Sequence, residues 1–263
     1  MVSIESRDIN TYLKNRNIKV INKKIKNKEN INEEEIANQI NLIVQFHKFI
    51  GEYRENIMPR IGSTIGKDVE DYKVQLKKLT LDFKERKEKK DKNEIDLYII
   101  SNGENLLNKG NIAINHIIDN NYKDLIKRSM INYEVCLGRV DESNLKDSKL
   151  ENFIEISTVK YLSYNLIEHD LYNYIKKLKK KFIPIEVNKI IDYYVDKLGL
   201  SIYSKEYLRG LIYYPNESLK VWEKYILNKK NLSNEEYLEE FKKAQIIDGI
   251  YSDGVIGGDF FDK

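Results

Sequence analysis

The sequence predicts a mainly α-helical protein with one small β element. Between residues 32 and 247, apolar residues recur in most segments at the 3.6-residue period of a helix. Helix-start signals, such as Asn32 followed by three glutamates, precede several of these apolar stripes. Only two segments in the middle of the chain are short, β-branched and alternating in polarity, which indicates strands.

The first four helices are predicted from their apolar faces. One runs from Asn32 to a stop at Gly51, and its face comprises Ile36, Ile40, Ile43, His47 and Ile50. The next begins at Asp68, and its face comprises Val69, Tyr72, Leu76, Leu79 and Phe83. A third covers residues 94–118 and should break at Gly103 or Gly110, because glycine weakens a helix. A fourth begins near Tyr122.

The strands are predicted at residues 133–140 and 153–160, with a polar connection over residues 141–152. Helices then resume at residues 166–182. The remaining helix boundaries follow from Pro184 in a first turn, Gly199 as a stop, Ser204 and Asn216 as caps, and a capping box of Ser233 with Glu236.

By composition we divide the chain into three parts. Residues 1–31 form a basic arm rich in Lys and Asn, or a short β element. Residues 32–247 form the helical domain. Residues 248–263 form a Gly-rich tail that we expect to be flexible.

The composition also excludes several classes of protein. Lys and Arg number 45 against 42 Asp and Glu, a balance too even to indicate a nucleic-acid binder. No apolar run approaches the ~20 residues of a membrane span, and residues 1–10 lack the apolar region of a secretory signal. The single cysteine, Cys136, excludes an internal disulfide framework. These features indicate a soluble intracellular protein that is synthesised in the cytoplasm.

Isolated reactive residues do not indicate a site by themselves. His47 lies on an apolar helical face, which favours a buried, hydrogen-bonded histidine over a catalytic one. His116 and His169 have no metal-ligand spacing, and Cys136 is interpreted as a small core residue. Four aspartates near the carboxyl end do not match a calcium loop and are interpreted as solvating: Asp248, Asp253, Asp259 and Asp262.

Four segments, taken in order, suggest a family. They are Phe46-His47-Lys48-Phe49-Ile50-Gly51-Glu52-Tyr53, residues 66–83, the stretch Tyr207 to Pro215, and residues 222–239. Together they resemble the spore-coat proteins of the CotS type, which belong to the aminoglycoside phosphotransferase and choline kinase superfamily. The resemblance covers about residues 36–247 and implies a kinase-like helical C-lobe.

The resemblance places the superfamily's catalytic loop, His-Gly-Asp with Asn five residues after the Asp, on Leu137-Gly138-Arg139 and Asn144. In the superfamily this aspartate is the catalytic base, whereas an arginine cannot accept a proton. The metal-binding Asp-Phe-Asp motif falls on residues 155–157, so Asn144 and Glu155 are vestigial metal-ligand candidates. The stretch His169-Asp170-Leu171 with Ile175-Lys176-Lys177 resembles a further segment of the superfamily.

The resemblance also implies that the nucleotide-clamping N-terminal lobe is missing. Only about 35 residues precede the first apolar helical face, where the superfamily has a β-rich lobe with a phosphate-binding lysine. No Gly-x-Gly-x-x-Gly and no Walker A motif occurs in the chain. We therefore expect a degenerate kinase-like protein with no intact catalytic site, no cofactor and no metal.

Three functions remain open. The first is a non-catalytic scaffold that binds other spore-coat or coat-assembly proteins and is deposited on the spore coat. The second is an atypical ATP-dependent small-molecule phosphotransferase that uses Glu155 and Asn144. The third, and the weakest, is a nucleic-acid binder acting through the basic arm, where Tyr12 alone is available for base stacking. Arg139 favours the first.

Overall fold

The computed structural model describes residues 8–23, 31–51, 60–148, 152–227, 232–252 and 255–256. The helices are α1 (Ile9–Lys14), α2 (Glu33–Gly51), α3 (Lys67–Glu88), α4 (Glu94–Asp119), α5 (Tyr122–Asn132), α6 (Glu168–Lys180), α7 (Val187–Leu198), α8 (Ile202–Tyr213), α9 (Asn216–Ile226) and α10 (Asn234–Gly249). The strands are β1 (Ile18–Val20), β2 (Gly62–Ser63), β3 (Val135–Cys136), β4 (Leu145–Asp147), β5 (Ile154–Ile156) and β6 (Ser163–Tyr164). The prediction of a mainly helical fold is confirmed, and in place of the one predicted β element the structure has two small sheets.

The chain is divided into two compact units. Unit 1 contains residues 1–66 and 123–205, and unit 2 contains residues 67–122 and 206–263. These boundaries differ from the three-part division that composition suggests, because each unit is assembled from two separate stretches of chain. No helix of the described ranges is long and apolar enough to cross a membrane.

Unit 1 contains two small sheets, with strand orders β1-β5-β4 and β2-β6-β3. Strand β1 is parallel to β5, and β4 is antiparallel to it. Both predicted strand segments contain a strand, but β3 and β5 lie in different sheets, and the predicted polar connection contains β4. The prediction of an irregular polar connection is wrong for β4. The three residues of β4 are extended because they pair with β5, although they have no alternating pattern of their own.

The segment before α2 takes part in unit 1. Tyr12, Leu13 and Ile18 are buried, and β1 supplies an edge strand. Arg16 is also buried, since its Nη1 donates a hydrogen bond to the Tyr12 carbonyl at 3.0 Å and its guanidinium lies over the Tyr12 ring. In residues 8–23, therefore, the predicted short β element is present. Residues 24–30 of the predicted arm lie outside the described residues.

Helix α2 confirms the first predicted helix. Its start is a capping box, in which the Glu35 N–H donates to Asn32 at 2.9 Å and the Asn32 N–H donates to Glu35 at 3.1 Å. The whole predicted apolar face is buried. Gln39 is buried as well, and its amide donates to the carbonyls of Val140 and Leu145 at 2.6 and 3.1 Å. These bonds tie α2 to the loop between β3 and β4.

In unit 2, the predicted break in the third helix is wrong, since α4 is continuous from Glu94 to Asp119. A Cβ on Gly103 would lie 2.8 Å from the Trp222 ring, and one on Gly110 would lie 2.6 Å from the Leu76 side chain. The two glycines therefore allow close helix packing, and the packed neighbours offset the low helix propensity of glycine.

The predicted helix boundaries hold in part. The capping box of Ser233 with Glu236 and the stop at Gly199, which has φ +64°, are confirmed. Ser204 is not a cap; it is buried inside α8 and accepts a hydrogen bond from Arg128 at 3.0 Å. Pro184 precedes the first residue of α7 by three positions, and Asn216 is the first residue of α9 rather than its cap.

Asp248 is not a solvating residue. It is buried, and its two carboxylate oxygens accept the backbone N–H groups of Glu217 and Ser218 at 3.1 and 2.7 Å. The carboxylate therefore caps the amino end of α9, where the helix dipole favours a negative charge. The other three aspartates of the predicted tail lie outside the described residues.

Candidate functional site

The candidate site is the loop of residues 137–144, which joins β3 to β4 in unit 1. Its first turn requires glycine, because Gly138 has φ +73° and a Cβ there would lie 2.6 Å from the Tyr161 carbonyl oxygen. The loop backbone packs this closely against the segment before β6, so residue 138 cannot carry a side chain without a shift of the chain.

A buried carboxylate holds the start of this loop. The two oxygens of Asp170, on α6, accept the N–H groups of Leu137 and Gly138, each at 2.8 Å. Asp170 is fully buried, so both bonds are charge-assisted bonds in a place that water does not reach. Asn173, one turn further along α6, donates to the Gly138 carbonyl at 3.2 Å. Helix α6 thus determines where the loop backbone lies.

His47 approaches the same carboxylate from α2. Its Nε2 lies 3.2 Å from an Asp170 oxygen, and both side chains are almost completely buried. The predicted burial of His47 is confirmed. The predicted hydrogen bond is not, since neither ring nitrogen makes one to any residue that the structure describes. His47 therefore contributes a close electrostatic contact beneath the loop, and it does not face solvent.

Arg139 occupies the position that the resemblance assigns to the catalytic base. Its side chain is 44% exposed, Nη2 donates to the Ser143 hydroxyl at 2.6 Å, and Nε lies 3.7 Å from Asp141. A guanidinium has five donors and no acceptor, and it stays protonated at any physiological pH. In this position it can bind an anion or a carboxylate, but it cannot take a proton from a hydroxyl.

Asn144 closes the loop. Its amide donates to the Arg139 carbonyl at 2.6 Å, and its oxygen accepts the Thr158 N–H at 2.8 Å. The residue is almost fully buried. The amide nitrogen therefore closes the loop on itself, and the amide oxygen joins the loop to the segment after β5.

Glu155 lies elsewhere on the sheet. It is the middle residue of β5, in register with Lys19 on β1 and Lys146 on β4. The Lys146 ammonium lies 2.9 Å from the carboxylate and the Lys19 ammonium 3.9 Å from it. The hydrogen bond from Lys146 lowers the pKa of Glu155 below its usual value. Two cations thus neutralise this carboxylate.

Next to Thr158, the Ser157 N–H also contacts Asn144, donating to its backbone carbonyl at 2.8 Å. A magnesium site does not fit these residues, because the Asn144 oxygen is used by Thr158, the Glu155 carboxylate is used by lysines, and position 157 has no carboxylate. Within the described ranges, no group of three or more His, Cys, Asp or Glu is placed to hold a metal ion.

Two acids of the loop pair with a lysine on α6. The Lys177 ammonium lies 2.9 Å from Asp141 and 3.1 Å from Glu142. Burial acts to raise the pKa of Asp141, but the hydrogen bonds from Ser143 and Lys177 outweigh it and lower that pKa. Asp141 is therefore a paired anion, and its lone pairs are directed at donors of its own loop and of α6.

Sequence reasoning assigned no role to Asp170 or Lys177. A signal for Asp170 was present, since an acid that shares a helical face with Tyr174 and Leu178 is unusual on the buried side of a helix. Lys177 carried no such signal, because lysines surround it in the sequence.

The other candidate residues have contacts of their own. His116, in unit 2, pairs with Glu206 at 2.8 Å, and His169 packs edge-on against the Tyr172 ring. The predicted burial of Cys136 is confirmed; its thiol donates to the Leu166 carbonyl at 3.0 Å, and burial raises its pKa well above the usual value. A thiol held in this protonated state is a poor nucleophile.

Comparison with solved structures shows that the fold is similar to that of an aminoglycoside phosphotransferase. This chain superposes with a TM-score of 0.60 on the crystal structure of aminoglycoside phosphotransferase from Alicyclobacillus acidocaldarius subsp. acidocaldarius DSM 446. The alignment covers 81% of this chain and 62% of the phosphotransferase, at 10% sequence identity. At this identity the likeness concerns the fold alone, and it confirms the kinase-like fold that the resemblance implied. No protein-family model and no curated protein matches the chain.

Proposed function

We propose that this chain is a degenerate, non-catalytic protein of the kinase-like fold that acts by binding other proteins in a spore coat. The observation that carries the proposal is residue 139. The loop backbone is held by Asp170 and Asn144, yet the side chain presented at the base position is a guanidinium. Phosphoryl transfer to a hydroxyl needs an acceptor for its proton, and Arg139 cannot supply one.

The proposal includes the loss of the metal-binding carboxylate and of the phosphate-binding loop. Glu155 is neutralised by Lys146 and Lys19, which removes it as a metal ligand. Neither a Gly-x-Gly-x-x-Gly motif nor a Walker A motif occurs in the sequence.

The spore-coat setting rests on the resemblance to the CotS-type proteins in residues 46–53, 66–83, 207–215 and 222–239. A coat protein acts by its contacts with neighbours, which agrees with a loop that is held by buried hydrogen bonds and has an arginine at position 139. The partners are then other coat or coat-assembly proteins.

A thermal-shift titration with ATP and Mg²⁺ tests the non-catalytic part. A site with nucleotide at 100 times its dissociation constant would stabilise the protein by about 2.7 kcal/mol, a shift of several degrees. We expect no shift at millimolar ATP, whereas an active aminoglycoside phosphotransferase in the same buffer should shift. The variant Arg139→Asp restores a carboxylate at the base position and should still transfer no phosphate.

A magnesium-dependent shift of the native chain would overturn the proposal. If that shift disappeared in Glu155→Ala, the alternative of an atypical phosphotransferase would replace it.

The spore-coat part has a separate test. Spores of the organism that encodes the chain are purified, the coat is extracted, and the chain is quantified by mass spectrometry in the coat and core fractions. We expect it in the coat fraction. Its confinement to the core, or an organism that forms no spores, would contradict the spore-coat setting and leave the non-catalytic proposal standing.

A further inference from the structure

Unit 1 has an open groove between α2 and the start of α7, with a volume of 620 Å³. Its lining is mostly apolar and includes Ile36, Ala37, Ile40, Ile185, Ile190 and Tyr193. Ala37 is exposed and Tyr193 is 39% exposed, so part of this apolar surface is open to water. The groove lies apart from the residues of the 137–144 loop, none of which lines it.

The groove has a bridged end and an acidic end. At one end the Tyr193 hydroxyl donates a hydrogen bond to the Asn41 side chain, which joins the two walls. Glu33 and Glu186 line the groove eight and seven residues before this bridge on their respective segments. At 1.5 Å per residue, the α2 wall from Glu33 to Asn41 is about 12 Å long. This length accommodates two turns of a helix.

The charge of the groove is negative. Glu186 pairs with Lys189, which also lines the groove. For Glu33, the described parts of the chain supply no cationic partner. An occupant should therefore be a two-turn amphipathic helix with lysine or arginine beside its apolar residues.

The outer face of α3, in unit 2, combines exposed apolar residues with lysines. Val74 and Leu81 are 66% and 55% exposed although both are apolar. They are seven residues apart, so they lie on one face of the helix about 10.5 Å apart along its axis. This spacing matches the length of the groove wall.

The charge of this face is opposite to that of the groove. The sequence from Lys73 to Leu81 contains three lysines and no acid. Lys73 pairs with Glu70 and Lys78 pairs with Glu223, whereas the described residues supply no ion pair for the exposed Lys77. Lys77 lies between the two exposed apolar residues in the sequence, where it can meet an acidic rim.

We propose that the α3 face of one molecule, centred on Val74 and Leu81, docks in the α2–α7 groove of a second copy of this chain. The contact joins two different surfaces, so it is heterologous, and each molecule retains one free groove and one free α3 face. Such contacts produce rings or open filaments rather than closed dimers. The inference rests on the proposed function as a binding protein of an assembly and names a partner for it.

The test is the mass in solution of the full chain, measured by sedimentation velocity over a range of concentrations. We expect the weight-average mass to rise from the 31.2 kDa of one chain past twice that value, without a plateau at the dimer. The variant Ala37→Glu blocks the groove, and the double variant Val74→Glu with Leu81→Glu blocks the α3 face. Each should remain a monomer.

Mixing the two blocked variants is the decisive step. Each retains the surface that the other has lost, so the mixture should form a 1:1 complex of twice the chain mass and nothing larger. The matched controls are Asn38→Glu, an exposed residue of α2 that does not line the groove, and Leu97→Glu, a 55% exposed leucine of α4. Both controls should assemble like the native chain, and circular dichroism should show that every variant is folded.

Three results would overturn the inference. They are a native chain that stays monomeric at its highest soluble concentration, a plateau at the dimer, and blocked variants that fail to complement each other in the mixture. None of these results involves nucleotide, so a failure here is distinguishable from a failure of the ATP experiment.

Discussion

The side-chain amide of Asn144 donates a hydrogen bond to the backbone carbonyl of Arg139 at 2.6 Å. The residue that closes the loop thus holds the backbone of the residue at the proposed base position. Position 139 keeps a defined backbone while its side chain points partly into solvent. Mutations that remove the bonds to the loop backbone should therefore lower the free energy of unfolding much more than mutation of the Arg139 side chain.

Replacing Asn144 by alanine should lower the free energy of unfolding by about 2–3 kcal/mol. The change leaves the Arg139 carbonyl and the Thr158 N–H, both partly buried, without their partner, and each such unpaired group costs about 1–3 kcal/mol. Urea denaturation measures the loss, with the exposed Asn38→Ala as control. A loss below about 0.5 kcal/mol would show that the bonds to Asn144 do not hold the loop.

Replacing Asp170 by asparagine should lower the free energy of unfolding by about 2–3 kcal/mol, because one of two charge-assisted bonds to the loop is lost and an amide N–H then faces a backbone N–H. Hydrogen exchange of the Leu137 and Gly138 amides should accelerate relative to the rest of unit 1. Asp124→Asn, an exposed change on α5, serves as the control. Unchanged exchange at both amides would contradict the role of Asp170.

Replacing Arg139 by alanine should change the free energy of unfolding by no more than about 0.5 kcal/mol. The side chain is 44% exposed, and partly exposed pairs of this kind contribute little to stability. The same denaturation experiment measures the effect. A loss comparable to that of Asn144→Ala would mean that the guanidinium supports the loop.

The pair of Asp141 with Lys177 should make stability depend on pH in the acid range. The pKa of Asp141 in the folded protein is lowered below its usual 3.8, because bonds from Ser143 and Lys177 outweigh the effect of burial. The folded state therefore binds this proton less tightly than the unfolded state does. The stabilisation is fully present above pH 3.8 and is lost as the pH falls through the lower folded value.

We therefore expect the difference in unfolding free energy between the native chain and Asp141→Asn to be largest near neutral pH and to shrink below about pH 4. Denaturation at a series of pH values measures it, and Lys177→Met should reduce the same pH-dependent difference. A difference that grows on acidification would have the wrong sign for this pair.

Replacing Gly103 by alanine should lower the free energy of unfolding by about 1–3 kcal/mol, even though alanine is the better helix former. The added Cβ would lie within 3.0 Å of the rings of Trp222 and Phe83, both buried and unable to move aside freely. Gly249→Ala meets no atom within 4 Å and should be neutral or slightly stabilising. Thermal unfolding of the two variants compares them directly, and equal effects would contradict a packing role for Gly103.

Local patterns in the sequence predict the helices well. The face of α2 and the capping boxes at Asn32 and Ser233 follow from neighbours three or four residues away, because helix contacts are local. The continuity of α4 could not be predicted in this way. It depends on Trp222 and Leu76, which stand far from Gly103 and Gly110 in the sequence and reach them only by folding.

The sequence by itself determined that position 139 carries no base, since a guanidinium cannot accept a proton in any surroundings. Only the tertiary structure decided which residues hold the loop. Asp170 reaches Leu137 across 33 residues, and Asn144 contacts Ser157, while β-sheet register places Glu155 between two lysines. Long-range pairing and register set these contacts, and they leave no periodic trace in a single sequence.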